Sequence, residues 1–284
     1  LAGFTLKGTD VRCAQIAGST MSNCVVRGLS SSPSSSGDAG VAAYATGASK
    51  ILDCVFSGNQ YAYAGGSSRN GGVVYSPSGD LLIDRCVFTN NIMGTSTETQ
   101  GADRRGIAVY VGGSGTIRNS LFAKQTTKIK ENRTGADTRT TGTIAINGSG
   151  TLTVENCTVA DNLAEGEATC GGIWCGDNAT VNVINSIVTG NHNTNGDATD
   201  IRYSATDPTK TTITTSLVNE DPKFRRPAKG DYSIRPSSPA RDAGTNADWM
   251  NGAVDLGGAS RIIGGRVDIG CYENNGHGFT ILVR

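Results

Sequence analysis

The side chains best equipped for chemistry in this chain are eight cysteines, two histidines, a late cluster of carboxylates, and scattered aromatic and basic residues. A zinc site needs thiolates or imidazoles at short, fixed spacings. No Cys-x-x-Cys occurs and His192 and His277 stand far apart, so no resident metal cofactor is expected. Cys170 and Cys175, in CGGIWC, are spaced either for a bridge or for two buried thiols. Asp242, Asp255, Asp268 and Glu273 either hold a cation or cap turns and pair with Arg261 and Arg266. The run NHNTNGDATD from Asn191 offers oxygens for a structural calcium, without the regular spacing of a known calcium loop.

Composition describes the elements that must position these groups. Glycine supplies 39 of 284 residues, which works against a helical bundle because glycine is a poor helix former. Hydrophobic residues reach 37% and 25 basic residues balance 25 acidic ones, a combination that excludes a disordered chain. No apolar run approaches the ~20 residues that cross a bilayer as a helix. Zero net charge leaves no global field to gather nucleic acid. The opening LAGFTLKGTD has no signal-peptide pattern and reads as the middle of a β-rich segment, so upstream residues are expected to be missing. The closing GFTILVR alternates Phe279, Ile281 and Val283, as a closing strand would.

Related phrases recur along the chain: MSNCVVRGL, ILDCVFSGN, LIDRCVFTNN, TIRNSLFAKQ, TVENCTVADN, NVINSIVTGN and ITTSLVNED. Their central small residues, here position zero, are Cys24, Cys54, Cys86, Ser120, Cys157, Ser186 and Ser216, spaced by 29 to 37 residues. Apolar residues recur two after zero, among them Phe56, Phe88 and Phe122, and three before it, from Met21 to Ile213. The odd step from minus three to zero breaks the inward parity of a strand, so the backbone must bend there. Position minus one holds Asn23, Asp53, Arg85, Asn119, Asn156, Asn185 and Thr215, and Asn and Asp tolerate the left-handed conformation of a sharp bend. Five after zero come Leu29, Asn59, Asn91, Gln125, Asn162, Asn191 and Asp221, a stack of side chains able to bond from coil to coil. Cysteine interchanges with serine at zero, which suggests a small buried thiol rather than a disulfide.

A unit of this length with short strands and no helix is one coil of a parallel β-solenoid. The expectation is an all-β chain, with about seven coils over 1–221 and a C-terminal capping segment over 222–284. The phrases resemble the right-handed parallel β-helix of the pectate-lyase-like superfamily, and that resemblance supplies the handedness. The tail pieces Asp221-Pro222, Asp231-Tyr232, Ser238-Pro239-Ala240, Asp242-Ala243-Gly244 and Asp268-Ile269-Gly270 resemble the choice-of-anchor Q region of bacterial surface proteins. That likeness implies an exported or cell-surface protein and no particular activity. A cap would also cover the edges of the last coil.

In enzymes of that superfamily the outward face of the first strand carries the substrate. Counting back from zero, ten and twelve residues, places Arg12, Tyr44, Tyr110 and Trp174 on this face, with no Asp or Glu at those offsets. The long connections into the strand add Arg104 and Arg105, and residues 100–140 hold eight basic against three acidic side chains. Aromatic rings with cationic rims suit a sugar, so Tyr110, Trp174, Tyr44, Arg12, Arg104 and Arg105 are the expected ligand-binding residues and a polysaccharide or cell-surface glycan the expected partner. No catalytic residue is identified. The readings are a non-catalytic carbohydrate-contacting domain, a polysaccharide lyase of the same fold, or a structural stalk or adhesin segment. A monomer is expected, with no nucleic-acid partner and no transmembrane segment. Far-ultraviolet circular dichroism should show helix below about 20%, against the ~30–35% of ordinary domains.

Overall fold

Parallel pairing of each coil with the next organises the computed structural model, which describes residues 1–8, 14–31, 40–61, 69–94, 104–128, 140–165, 170–203 and 207–275. Four parallel sheets run along the molecule. Face 1 has seven strands, including Ala43–Thr46, Val74–Ser76, Val109–Val111, Ile144–Ile146, Ile173–Cys175 and Ile201–Arg202. Face 2 has seven, including Asp80–Asp84 and Thr151–Glu155; face 3 has eight, including Val87–Thr89 and Ile187–Thr189; face 4 has six, ending at His192–Asn193. A three-stranded sheet of Arg69–Asn70, Arg104–Arg105 and Thr140–Thr141 flanks face 1. Among the described residues the only helical turns are the 3-10 segments Pro208–Lys210, Pro227–Lys229 and Asp248–Met250. The all-β solenoid expected from the repeat is therefore the fold.

The bend between faces 2 and 3 behaves as the parity break requires. All seven residues at position minus one are left-handed, with φ between 47° and 53°. After the bend, Val26, Phe56, Phe88, Phe122, Val159 and Val188 point into the core with no exposure. Phe88 is sandwiched by Phe56 and Phe122, each centroid 4.6 Å away and the rings nearly parallel. Parallel in-register strands place identical residues at the coil spacing of about 4.8 Å, and rings in one column have little choice but to stack.

Two polar ladders satisfy the interior. Asn59 Nδ2 donates to Asn91 Oδ1 at 2.9 Å, Asn91 Nδ2 to Gln125 Oε1 at 2.9 Å, and Asn162 Nδ2 to Asn191 Oδ1 at 2.7 Å. Gln125 continues the ladder through its backbone, donating to Asn162 Oδ1 at 2.8 Å. The last acceptor is Asp200, whose Oδ1 takes both Asn191 N and Nδ2. Asp221, the residue five after the last zero, is exposed and instead accepts the backbone N–H of Lys223. The chain returns after His192 and supplies its own carboxylate nine residues beyond Asn191, which a fixed count along the repeat misses.

At position zero the side chains are polar links as well as small fillers. The Cys86 thiol accepts from Cys54 N at 3.4 Å, Ser120 Oγ from Cys86 N at 3.0 Å, and Ser186 Oγ from Cys157 N at 3.1 Å. Thiols and hydroxyls donate onward, Cys86 to Asp84 O and Ser186 to Ile184 O. Interchange of Cys with Ser therefore tracks a hydrogen-bonding role that the reading as a plain hydrophobe omits. The seven described cysteines are free and buried, including Cys170 and Cys175. Cys13 lies outside the described residues.

Among the described residues the tail follows the side of the solenoid. It runs along the outside of face 3, burying Tyr232, Cys271, Phe224 and Tyr272 against Val87, Leu121, Ala123 and Ala160. Further along, Ile234, Ala240 and Ile269 pack on Ile187 and Leu217. The left-handed asparagines anchor it: Asn185 Nδ2 donates to Thr245 O at 2.8 Å and Asn156 Nδ2 to Asp268 O at 3.2 Å. Gly270, at φ 101°, donates its N–H to Asn185 O, and a Cβ there would stand 2.8 Å from Ile187 Cδ1. At the last coil Ile213 stays 36% exposed and Tyr203 44%. A strap rather than a lid is what these residues build. The segment 279–283 lies outside the described residues. Because Phe88 is sandwiched on both sides, Phe88→Ala should cost ~3–5 kcal/mol, read as a lowered midpoint in chemical denaturation.

Candidate functional site

The outer surface of face 1 is built from one column. Tyr44 pairs in register with Tyr75, Tyr75 with Tyr110, Tyr110 with Ala145, Ala145 with Trp174, and Trp174 with Arg202. Their neighbours Ala43, Val74, Val109, Ile144 and Ile173 alternate inward into the main core. Tyr44, Tyr110 and Trp174 thus point outward as expected, while Tyr75 and Val74 exchange the sides that a fixed offset assigned them. The column sits 10, 11, 10, 12, 12 and 14 residues before position zero in successive coils. The turn between faces 1 and 2 absorbs the difference, and each single-residue change flips the apparent parity.

The three tyrosines form a continuous row of ring contacts. Tyr44 and Tyr75 meet edge-on with centroids 5.5 Å apart, and Tyr75 and Tyr110 stack at 5.4 Å. Tyr110 donates its hydroxyl to Asn147 O at 3.1 Å. The small Ala145, next in the column, is fully buried between Tyr110 and Trp174. The Arg105 guanidinium stands 5.7 Å from the Trp174 ring centroid and donates to Asn70 Oδ1 at 3.3 Å. Cation and ring attract here through the ring quadrupole. Accessibility is uneven: Tyr75 and Tyr110 are 5% exposed, whereas Tyr44 and Trp174 are half-buried and Arg202 is exposed. Tyr110 is therefore a packed ring rather than an open platform.

Of the remaining expected residues, Arg104 contributes its backbone to the flanking sheet, pairing with Arg69 and Thr140. Arg12 lies outside the described residues, as does most of the basic stretch after Lys128. Tyr75 and Arg202 join the surface although a fixed offset concealed both. The strands of face 1 carry no Asp, Glu or His among the described residues.

The two oxygen-rich segments are internally bonded. Asn193 Oδ1 accepts from Asn195 N and Asp197 N, and its Nδ2 donates to Asp197 Oδ2 at 2.8 Å. In the tail, Asp268 accepts from Asp242 N and Asn274 N, Asp255 from Ala259 N and Glu273 N, and Glu273 from Asp268 N. Arg261, fully buried, meets Glu273 at 3.1 Å and donates to Asp268 O and Gly270 O. Arg266 instead donates to the carbonyls of Ala243 and Gly244. These acids cap turns and hold the strap together, and Asp242 stays outside the buried group, beside Arg241.

Burial, partly offset by Arg261, lifts the Glu273 carboxyl from its usual 4.5 to about 8, and burial likewise raises Asp255 and Asp268. The folded strap then holds a proton that the unfolded chain releases at lower pH. Its contribution to stability is complete below the unfolded value, declines as pH rises toward about 8, and is flat above that. Between pH 5 and 8 the thermal midpoint of the native chain should fall more steeply than that of Glu273→Gln, measured by differential scanning calorimetry.

Comparison with known proteins gives one family match. A family model described as a right handed beta helix region covers residues 3–216. No curated protein and no solved structure matches the chain.

Proposed function

The chain belongs to the right-handed β-helix family over residues 3–216, and from that premise we propose that it is a non-catalytic, exported domain that contacts carbohydrate on the outer surface of face 1. The observation that carries this reading is an aromatic column on strands without a carboxylate or imidazole, ending in Trp174 beside Arg105 and Arg202. Sugar rings pack their C–H faces on aromatic rings, and guanidinium groups orient hydroxyls or acidic substituents. Glycoside hydrolysis needs two carboxylates flanking the bond to be cut, and none is available on these strands. The resemblance of the first-strand face to the substrate face of pectate-lyase-like enzymes supports the location. The resemblance of the tail to choice-of-anchor Q regions supports export.

The burial of Tyr75 and Tyr110 favours a second reading, in which the column is a satellite core that stiffens a stalk or adhesin segment. The two readings separate on Trp174. In a Trp249→Phe background, titration with uronate oligosaccharides should change the fluorescence of Trp174, and Trp174→Ala should weaken binding about 10-fold, or ~1.4 kcal/mol. A double charge reversal at Arg104 and Arg105 should act in the same direction. Absence of any saturable signal with uronate or neutral oligosaccharides would leave the structural reading. Unsaturated, ultraviolet-absorbing products would instead establish a lyase.

A further inference from the structure

The antiparallel hairpin of the strap carries a concentration of charge that the aromatic face does not use. Six of the 25 basic residues fall within 223–241, with one acid, in a chain whose formal net charge is zero. They sit on and around the antiparallel pair Phe224–Arg226 and Asp231–Ile234. Two are matched by carboxylates: Arg226 by Asp231 at 3.4 Å, and Arg241 by Asp242 at 3.3 Å. Lys223, Arg225, Lys229 and Arg235 have no carboxylate partner among the described residues.

Three of these cations are held close together by the backbone. Arg235 N donates to Lys223 O at 3.0 Å, Arg235 Nη2 to Arg225 O at 3.3 Å, Arg225 Nε to Ile234 O at 3.3 Å, and Lys223 Nζ to Ser237 O at 2.9 Å. Each guanidinium keeps further N–H donors beyond these bonds. Cations carried on and beside one hairpin repel, and an anion relieves that repulsion while accepting those donors.

We propose that this hairpin is an interaction surface for a polyanionic glycan, a linear polysaccharide bearing sulfate or carboxylate groups, separate from the aromatic column and independent of it. The chemistry of the patch selects among polyanions. Phe224 and Tyr232 turn inward and meet edge-on at 5.1 Å, so the hairpin offers no exposed ring on which a nucleobase could stack. Its exposed residues, from Lys223 through Arg235, are charged or small and supply no apolar anchor for a bilayer. What remains is recognition by charge and guanidinium hydrogen bonds.

The test is fluorescence polarisation with three labelled probes of similar length: a sulfated glycosaminoglycan oligomer, an oligogalacturonate, and single-stranded DNA. At 50 mM salt the sulfated oligomer should bind, and raising salt to 300 mM should weaken binding at least 10-fold as the Debye length shrinks. Lys223→Glu with Arg235→Glu should abolish that binding, and the milder Lys223→Gln with Arg235→Gln should reduce it severalfold with an unchanged thermal midpoint. Trp174→Ala should bind the sulfated oligomer through the hairpin as tightly as the native chain does, while any loss of oligogalacturonate binding in that variant belongs to the aromatic column, which keeps failure of the aromatic site distinct from failure of this one. No binding of the sulfated oligomer, binding of it insensitive to both hairpin variants, its loss in Trp174→Ala alone, or DNA bound just as tightly would overturn the proposal.

Discussion

Every coil of this molecule depends on its neighbours for its hydrogen bonds. A strand of two to five residues has no partner within its own coil, so its N–H and C=O groups are satisfied only when the next coil arrives in register. That requirement propagates to the side chains. Once backbones repeat at a fixed spacing, a residue type that serves at one level serves at the next, and columns of phenylalanine, carboxamide and thiol or hydroxyl follow. The carboxamide column is the most demanding, because each fully buried amide must find both a donor and an acceptor. The repeat succeeds at Asn59, Asn91, Asn162 and Asn191 by using one another, and at the end of the column by recruiting Asp200.

Legibility in the sequence followed the rigidity of the turns. Between faces 2 and 3 the turn is one left-handed residue in all seven coils, and residues on either side could be placed by counting. Phe56, Phe88 and Phe122 fell into one stack for that reason. Between faces 1 and 2 the turn varies in length, so counting back from the same landmark slipped. Tyr44, Tyr110 and Trp174 came out on the correct side while Tyr75, which packs between two of them, did not. Arg202 was hidden by the same slip at its largest. The candidate site was therefore half legible, and the missing half came from neighbouring strands rather than from residue types.

The tail was opaque for a different reason. Its composition marks a departure from the repeat, but nothing in a linear sequence says whether such a segment covers an end or a side. The deciding feature is the column of apolar residues on the outside of face 3, Val87, Leu121, Ile187 and Leu217, which the strap covers. These positions alternate with inward residues and read in isolation as ordinary strand hydrophobicity. The same left-handed asparagines that turn the chain at each coil also present their amides to the strap, so Asn156 and Asn185 serve the coil and its cover together.

A stack of similar units held only by nearest-neighbour contacts behaves like a row of coins, able to shed members from an end one at a time. The lateral strap changes that. Because it touches coils from Val87 to Leu217, the terminal coil cannot peel away without also stripping contacts several levels deeper. Fraying and global unfolding become a single cooperative event over that stretch, and the barrier to unfolding rises with the length of the strap that must be lifted. Slow unfolding of this kind sets the lifetime of the folded chain separately from its equilibrium stability.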